Sequence, residues 1–223
     1  SSTSRGLGDV YKRQVTANRI ELAACPSTSD TLYALFENPS TRDCGSIKMY
    51  RVSTATWSDR TVPTIIDMGD NPVFTRGQAW YDLIAAVDPN NASTLYIGGV
   101  DALRSLDAGN TWTQITTWSL TSAPGFSQTV HSDHHAIVFA PKSSTRALWG
   151  TDGGIYYTEN VNATNIKPTL TEKNNGYNVT QYYAGAIHPT KADYFLGGTQ
   201  DNGSHKFSSP GINAVNEVSG GDG

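Results

Sequence analysis

The chain of 223 residues carries few charges, and its composition favours turns over long helices. Asp, Glu, Lys and Arg make up 16% of the residues, whereas an average globular protein has about 25%. The chain also contains 21 Gly and 10 Pro. The formal net charge of −4, without a dense basic cluster, argues against nucleic-acid binding. The longest apolar runs, 83–87 and 136–140, are far shorter than the about 20 residues of a membrane-spanning helix, so no membrane insertion is expected.

The sequence at both ends of the chain predicts that it is a truncated piece of a longer protein. Residues 1–14 (SSTSRGLGDVYKRQ) contain neither an initiator Met nor an apolar signal-peptide core, and they match no pattern that follows. They look like a translated scar from a metagenomic reading frame, which predicts a non-native or disordered tail. The last four residues, Gly-Gly-Asp-Gly, read as a loop leading into another element. We expect any secretion signal or later domain to lie outside this chain.

A repeat of short apolar runs that end in proline organises residues 15–223. The prolines are Pro26, Pro89, Pro141 and Pro189, and a second apolar run begins about six positions after each of them. A period near 50 with several short β-rich runs per unit is typical of β-propeller blades, and no helical 3.6-residue stripe is visible. We therefore predict an all-β chain, a partial β-propeller of about four four-stranded blades at residues 15–62, 78–120, 131–170 and 180–223.

The second unit contains a distinctive hairpin sequence. Its strands are predicted at 83–87, 95–98 and 103–106, with a fourth from Thr111 onward. Between the last two lies Ser105-Leu-Asp-Ala-Gly-Asn-Thr-Trp112, a full match to the Asp-box pattern S-x-D-x-G-x-T-W. We expect Gly109 to adopt positive φ, the Asp107 carboxylate to accept turn N–H groups, and the Trp112 ring to lie between sheets.

Further motifs accompany the Asp-box: His131-Ser-Asp-His-His135, Thr151-Asp-Gly-Gly154, Asn174-Asn-Gly-Tyr177, Gly198-Thr-Gln-Asp-Asn-Gly203 and the closing Gly-Gly-Asp-Gly. Over residues 20–223 the chain thereby resembles the secreted BNR/Asp-box propellers of bacteria, which are similar to sortilin-type and xyloglucanase-type propellers and are often described as glycosyl hydrolases. The resemblance implies export to the medium or the cell surface. It leaves the activity open, because Asp-box propellers include sialidases, xyloglucanases, sorting receptors and assembly factors.

Propeller topology sorts the polar motifs by face. Loops between strands two and three of a blade, and segments that lead into strand one, open on one face around the channel, whereas the Asp-box turn opens on the other. The loops 150–154 and 198–203 belong to the first type, and the segments 78–82, 131–135 and 220–223 to the second. We expect all five at one mouth, the usual place for a ligand in a closed β architecture.

Acidic and aromatic side chains are concentrated in these loops. Aromatic rings stack on sugars while one carboxylic acid protonates the leaving oxygen and another activates water, so this combination suits carbohydrate chemistry. Tyr182 and Tyr183 add further rings. An Asp in an Asp-Gly turn can instead cap its own turn. The candidate catalytic residues are Asp152, Asp201 and Asp222. The candidate ligand-binding residues are Trp80, Tyr81, Asp82, His131, Asp133, His135, Gln200 and Asn202.

The histidine segment and the two cysteines leave alternatives open. In an extended segment His131, Asp133 and His135 share one face, while His134 points the other way. This face could bind a divalent metal, contact a ligand as an acid/base relay, or lock neighbouring loops together. Without a further His or Cys at metal spacing, we predict neither a metal nor a cofactor. Cys25 and Cys44 are equally compatible with a disulfide and with two free thiols.

Two functions remain open at this stage, and with them the question whether the protein is an enzyme. The first is an extracellular carbohydrate-active propeller that acts on a polysaccharide or glycan, with glycoside hydrolysis as its catalytic form. It predicts carboxyl pairs about 5–5.5 Å apart for a retaining enzyme or about 6.5–9.5 Å for an inverting one. The alternative is a non-catalytic, sortilin-like propeller that binds a protein or peptide, or a structural module of a larger surface protein. It predicts scattered acids, each satisfied by local backbone N–H groups.

Overall fold

A computed structural model describes residues 16–65, 72–121, 123, 125–164, 167–177, 179–209 and 215–223. The tail predicted at residues 1–14 lies outside this part of the chain. The protein divides into two compact units, unit 1 up to Lys173 and unit 2 from Asn174 onward. None of the described helices is long and apolar enough to cross a bilayer.

The described residues form four antiparallel sheets, each of four strands in sequential order. Sheet 1 contains β1 (Ile20–Ala24), β2 (Thr31–Glu37), β3 (Cys44–Arg51) and β4 (Thr56–Arg60). Sheet 2 contains β5 (Ile84–Asp88), β6 (Asn91–Gly98), β7 (Ala102–Ser105) and β8 (Thr113–Gln114). Sheet 3 contains β9 (His134–Phe139), β10 (Ala147–Thr151), β11 (Gly154–Thr158) and β12 (Thr171–Glu172). Sheet 4, in unit 2, contains β13 (Tyr182–Ile187), β14 (Phe195–Thr199), β15 (Ser204–Phe207) and β16 (Val215–Ser219). A one-turn helix, α1 (Ala79–Asp82), precedes β5.

Sheet 2 is buried on both faces because alternate residues of β6 point to opposite neighbours. Leu95 and Ile97 belong to a core cluster that also contains Tyr33 and Leu35 of sheet 1. Tyr96, between them, belongs to a second cluster with residues of sheet 3. Sheets 1, 2 and 3 of unit 1 stack in sequence order, and every sheet, including sheet 4, is the simple four-stranded meander of a β-propeller blade. The predicted all-β, partial β-propeller is therefore confirmed.

The turn between β7 and β8 is held by the side chain of Asp107. Its carboxylate accepts the backbone N–H groups of Asn110 and Thr111 at 3.1 and 2.8 Å and the Thr111 hydroxyl at 2.7 Å. Gly109 has φ +85°, and the Trp112 Nε1–H donates to the Thr61 carbonyl at 2.8 Å. Because Asp107 keeps residue 111 in the turn, β8 begins at Thr113, two residues later than the sequence predicted.

Asp107→Ala is expected to lower the free energy of unfolding by about 1 kcal/mol, as the loss of a carboxylate cap does at a helix end. These hydrogen bonds lower the pKa of Asp107 to about 2. The stabilisation is therefore present above the unfolded pKa of about 4 and is lost as the pH falls towards 2. Urea unfolding at pH 7 and at pH 2.5 measures both effects. Asp59→Ala, a change at an exposed aspartate of sheet 1, serves as the control, and an equal loss there would contradict the role of Asp107.

Both cysteines are buried free thiols, so the structure contains no Cys25–Cys44 bond. Burial raises the pKa of the Cys44 thiol to about 12. The Cys25 thiol donates to the Asp88 carbonyl at 3.2 Å across to sheet 2. Both side chains therefore act as small apolar groups of the sheet 1–sheet 2 core.

Candidate functional site

Helix α1 carries Trp80 and Tyr81 and directly precedes β5. It lies at the end of unit 1 where the first strand of each sheet begins. The Arg19 guanidinium, just before β1, donates to the carbonyls of Trp80, Tyr81 and Leu83 at the C-terminal end of α1. A cation is favourable there because the carbonyls of the last helical turn lack intrahelical partners. Arg19 therefore ties α1 to sheet 1.

Asp152 lies at the centre of this region, in the turn between β10 and β11. The Tyr81 hydroxyl lies 2.9 Å from both carboxylate oxygens, and His135 Nε2 lies 2.6 Å from Oδ1. The rings of Tyr81 and His135 meet edge to face with centroids 4.7 Å apart. The Asp152 side chain remains 28% exposed. Side chains from two other segments thus hold a carboxylate that solvent can still reach.

Asp133 lies beside Asp152. Its carbonyl accepts the Asp152 N–H at 3.2 Å, and its carboxylate accepts Nε2–H of Gln78 at 3.2 Å. Partial burial, followed by the negative charge of Asp152, raises the pKa of Asp133. The pair therefore combines a carboxylate with a neighbour that holds a proton more readily than an ordinary aspartate.

Asp82, the last residue of α1, lies behind the surface. Its side chain is fully buried, although its sequence position beside Trp80 and Tyr81 predicted a ligand contact. Within the described part of the chain neither carboxyl oxygen accepts a hydrogen bond from another residue. Burial, and then the charge of Asp133, raises the pKa of Asp82 to about 8. Asp82 therefore lies beneath the surface at which a ligand contact was predicted, and its raised pKa favours the protonated form.

The histidine segment is only partly extended. β9 begins at His134, and Asp133 has φ +62°, so the face-sharing expected for residues 131–135 does not extend across Asp133. His134 is fully buried, which lowers its pKa to about 3, and its Nε2 lies 3.3 Å from the Thr116 hydroxyl. His131 is exposed and packs on Gly153, where a Cβ would approach its ring carbon to 2.3 Å. These histidines therefore have separate roles.

Two exposed aromatic rings lie side by side at this site, and one of them, Tyr81, contacts Asp152. Trp80 is 50% exposed and Tyr81 39%, and their ring centroids are 5.6 Å apart. The Arg42 guanidinium lies 5.8 Å from the Trp80 ring centroid. We call the set Gln78, Trp80, Tyr81, Asp133, His135 and Asp152 the unit 1 rim. Its exposed rings beside carboxylates are suited to an apolar–polar ligand such as a sugar.

The remaining candidates form a separate cluster in unit 2. Nε2 of Gln200 lies 2.8 Å from Asp201 Oδ2 and 3.3 Å from Asp222 Oδ1, and Asp222 Oδ1 also accepts the Asp201 N–H at 3.1 Å. Asn202 donates to the carbonyl of Gln200 at 2.9 Å. The amide of Gln200 thus brings two carboxylates together. Their convergence with Asp152 at one mouth stays a prediction.

Tyr182 and Tyr183 border this second cluster on β13. The Tyr182 hydroxyl lies 2.9 Å from Nδ1 of His205. Reduced hydration, followed by the charges of Asp222 and Asp201, raises the pKa of Tyr183. An exposed phenol thus lies close to the paired carboxylates of unit 2.

Among the described residues, no group of three or more His, Cys, Asp or Glu side chains could hold a metal ion. Sequence reasoning missed Arg19, which organises α1 from more than 60 positions away. No local motif marks it. The signal available was an arginine directly before a predicted first strand, which is too common to identify a site.

Comparison with known proteins supports the fold. No family model matches the chain, and no curated protein matches it. The chain is similar to the crystal structure of the GH74 xyloglucanase from Xanthomonas campestris, with 17% identity, a TM-score of 0.52, and coverage of 82% of this chain and 27% of that one. A GH74 enzyme from Niastella koreensis has 19% identity, a TM-score of 0.48, and coverage of 83% and 28%. The chain thus spans little more than a quarter of these proteins. The fold and the site define a β-propeller with an acidic, aromatic rim.

Proposed function

We propose that the chain is the carbohydrate-binding part of an exported β-propeller of the BNR/Asp-box type, and that a glycan contacts the unit 1 rim. Propeller architecture, shared with the xyloglucanase of X. campestris, supports this proposal at the level of fold only. The geometry of the rim supports it at the level of chemistry. The proposal concerns glycan binding first and hydrolysis of the bound glycan by the intact protein second.

The observation that carries the proposal is the position of the Asp152 carboxylate. It is held by Tyr81 and His135 and remains accessible, and the ring of Tyr81 in turn lies 5.6 Å from the exposed ring of Trp80. A carboxylate fixed between rings can accept sugar hydroxyl groups while a ring covers the apolar face of the pyranose. A carboxylate that only caps a turn would instead use its oxygens on N–H groups of its own loop.

Hydrolysis would use a protonated acid and an ionised carboxylate. In unit 1 we assign the proton to Asp133, since its pKa is raised, and the role of the second carboxyl group to Asp152. Asp201 and Asp222 are the alternative pair, joined through the amide of Gln200. Asp222 also accepts the backbone N–H of Asp201, and satisfaction of an acid by a local N–H group is what the sortilin-like, peptide-binding alternative predicts.

The test is binding of the full chain to soluble xyloglucan, to other neutral glucans and to an acidic pectin, by calorimetry. We expect affinity for a glycan and, in Trp80→Ala and Asp152→Asn, a loss of about tenfold, equivalent to about 1.4 kcal/mol. Trp57→Ala removes an equally exposed indole from β4 and is expected to bind like the parent chain. Reducing-end release measures turnover.

Two results would overturn the proposal. One is that no glycan binds while an immobilised peptide library does, which favours the sortilin-like alternative. The other is that Trp57→Ala weakens binding as much as Trp80→Ala does, because the contact would then not involve the rim.

A further inference from the structure

Asp82 has unusual surroundings for an aspartate. It is fully buried, and in the described part of the chain no other residue donates a hydrogen bond to either oxygen; only the backbone N–H of Asp82 itself favours the charged form. The nearest cation is Arg19, but its terminal nitrogens donate to the carbonyls of Trp80, Tyr81 and Leu83. One local N–H is fewer donors than a buried carboxylate requires.

The charged groups that act on Asp82 come from three other segments. Asp133 and Asp152 face it with negative charge, and Arg19 with positive charge. Asp133 is in turn influenced by His131, Asp152 pairs with His135, and Arg19 lies 3.9 Å from Glu21. Tyr81, next to Asp82 on α1, donates to Asp152. Because two carboxylates and only one guanidinium act on Asp82, a third negative charge at this position is unfavourable.

We propose that Asp82 is protonated in folded unit 1 at neutral pH, and that α1 holds Tyr81 against Asp152 only in this protonated state. The residue regulates the rim from beneath, without contact with the ligand. An ionised Asp82 would have to reach water, and since it is part of α1, the helix would have to move away from β5 with it. The consequence for ligand binding rests on the proposed function. The consequence for stability does not.

The sign of the pH effect follows from proton binding. Burial raises the pKa of Asp82 to about 8, whereas an unfolded aspartate titrates near 3.9. Between these values the folded protein binds the extra proton, so its stability falls as the pH rises. The unfolding equilibrium constant is expected to increase by up to about tenfold per pH unit from this residue alone. At pH values above the pKa of Asp82 in the folded protein, this residue no longer increases the unfolding equilibrium constant.

The first arm of the test is urea unfolding of the full chain between about pH 5 and pH 9, followed by tryptophan fluorescence. All five Trp residues lie in unit 1, so the signal reports this unit. D82N keeps the shape but cannot ionise. Relative to D82N, the parent unfolding constant is expected to rise at least about tenfold between pH 5 and pH 8. D59N, the same change at an exposed aspartate of β4, is expected to keep the parent profile.

Equal pH profiles of the parent and D82N would overturn the proposal. If D82N does not fold, the carboxyl carbon of Asp82 in the parent chain can be followed by ¹³C NMR. A midpoint below about pH 5, close to that of an ordinary aspartate, would overturn the proposal equally.

The second arm is xyloglucan binding over the same pH range. We expect the parent chain to lose affinity above about pH 8, at least about tenfold by pH 9.5, while D82N retains it. Binding at no pH would refute the proposed function and leave the unfolding result to decide the role of Asp82. Loss of affinity in both chains at the same pH would refute the link between Asp82 and the rim.

Discussion

Trp149→Ala is expected to lower the free energy of unfolding of unit 1 by about 3–5 kcal/mol, the usual range for a large buried aromatic side chain. Trp149 is fully buried on β10, with ring centroids 6.2 Å from those of Tyr96 and His134. Tyr96 belongs to sheet 2, so the indole fills the space between sheets 2 and 3. Neighbouring strands cannot close that space without losing their own register. Urea unfolding monitored by circular dichroism measures the loss.

Two variants separate cavity formation from other causes. Trp57→Ala removes an indole that is 46% exposed and packs on Tyr50 at 4.9 Å, and it is expected to lose less than about 1 kcal/mol. Trp149→Phe should fall between the two. The buried Nε1 of Trp149 has no hydrogen-bond partner in the described chain, so phenylalanine removes volume but no hydrogen bond. Equal losses in the two alanine variants would contradict the packing role of Trp149.

The strand order could be predicted because each strand carries its own local signal. The continuous apolar run Leu95-Tyr96-Ile97 predicts a strand buried on both faces, and the following glycines and the Asp-box predict turns. The position of Asp152 between the second and third strands of sheet 3 follows from that order. So does the position of Asp201 between the corresponding strands of sheet 4. Topology thus locates a loop without locating its side chains.

The contacts of the site depend on residues far apart in sequence, and here local patterns carry no information. Asp82 reads as a loop acid next to Trp80 and Tyr81, yet the one-turn helix rotates it into the interior. Asp133 and His135 share a face only in a continuous strand, which the positive φ of Asp133 prevents. A single backbone angle therefore decides which partner each side chain meets.

Arg19→Met is expected to lower the free energy of unfolding of unit 1 by about 2–3 kcal/mol, since each of three hydrogen bonds contributes about 1 kcal/mol. The guanidinium donates to the carbonyls of Trp80, Tyr81 and Leu83, and methionine retains the apolar stem only. Arg19→Lys keeps the charge but cannot reach three carbonyls with one ammonium group, so an intermediate loss is expected. Arg51→Met removes an exposed ion pair with Asp30 and should lose less than about 1 kcal/mol.

The pH dependence of the same variant tests whether Arg19 also acts on Asp82. Its positive charge lowers the pKa of Asp82 against the larger effect of burial, so its removal should raise that pKa further. The pH range over which the parent chain loses stability relative to D82N should then extend upward in the Arg19→Met background. An identical pH range in both backgrounds would mean that Arg19 only caps α1. An upward extension would mean that one guanidinium both anchors the helix and sets the pH at which its buried acid ionises.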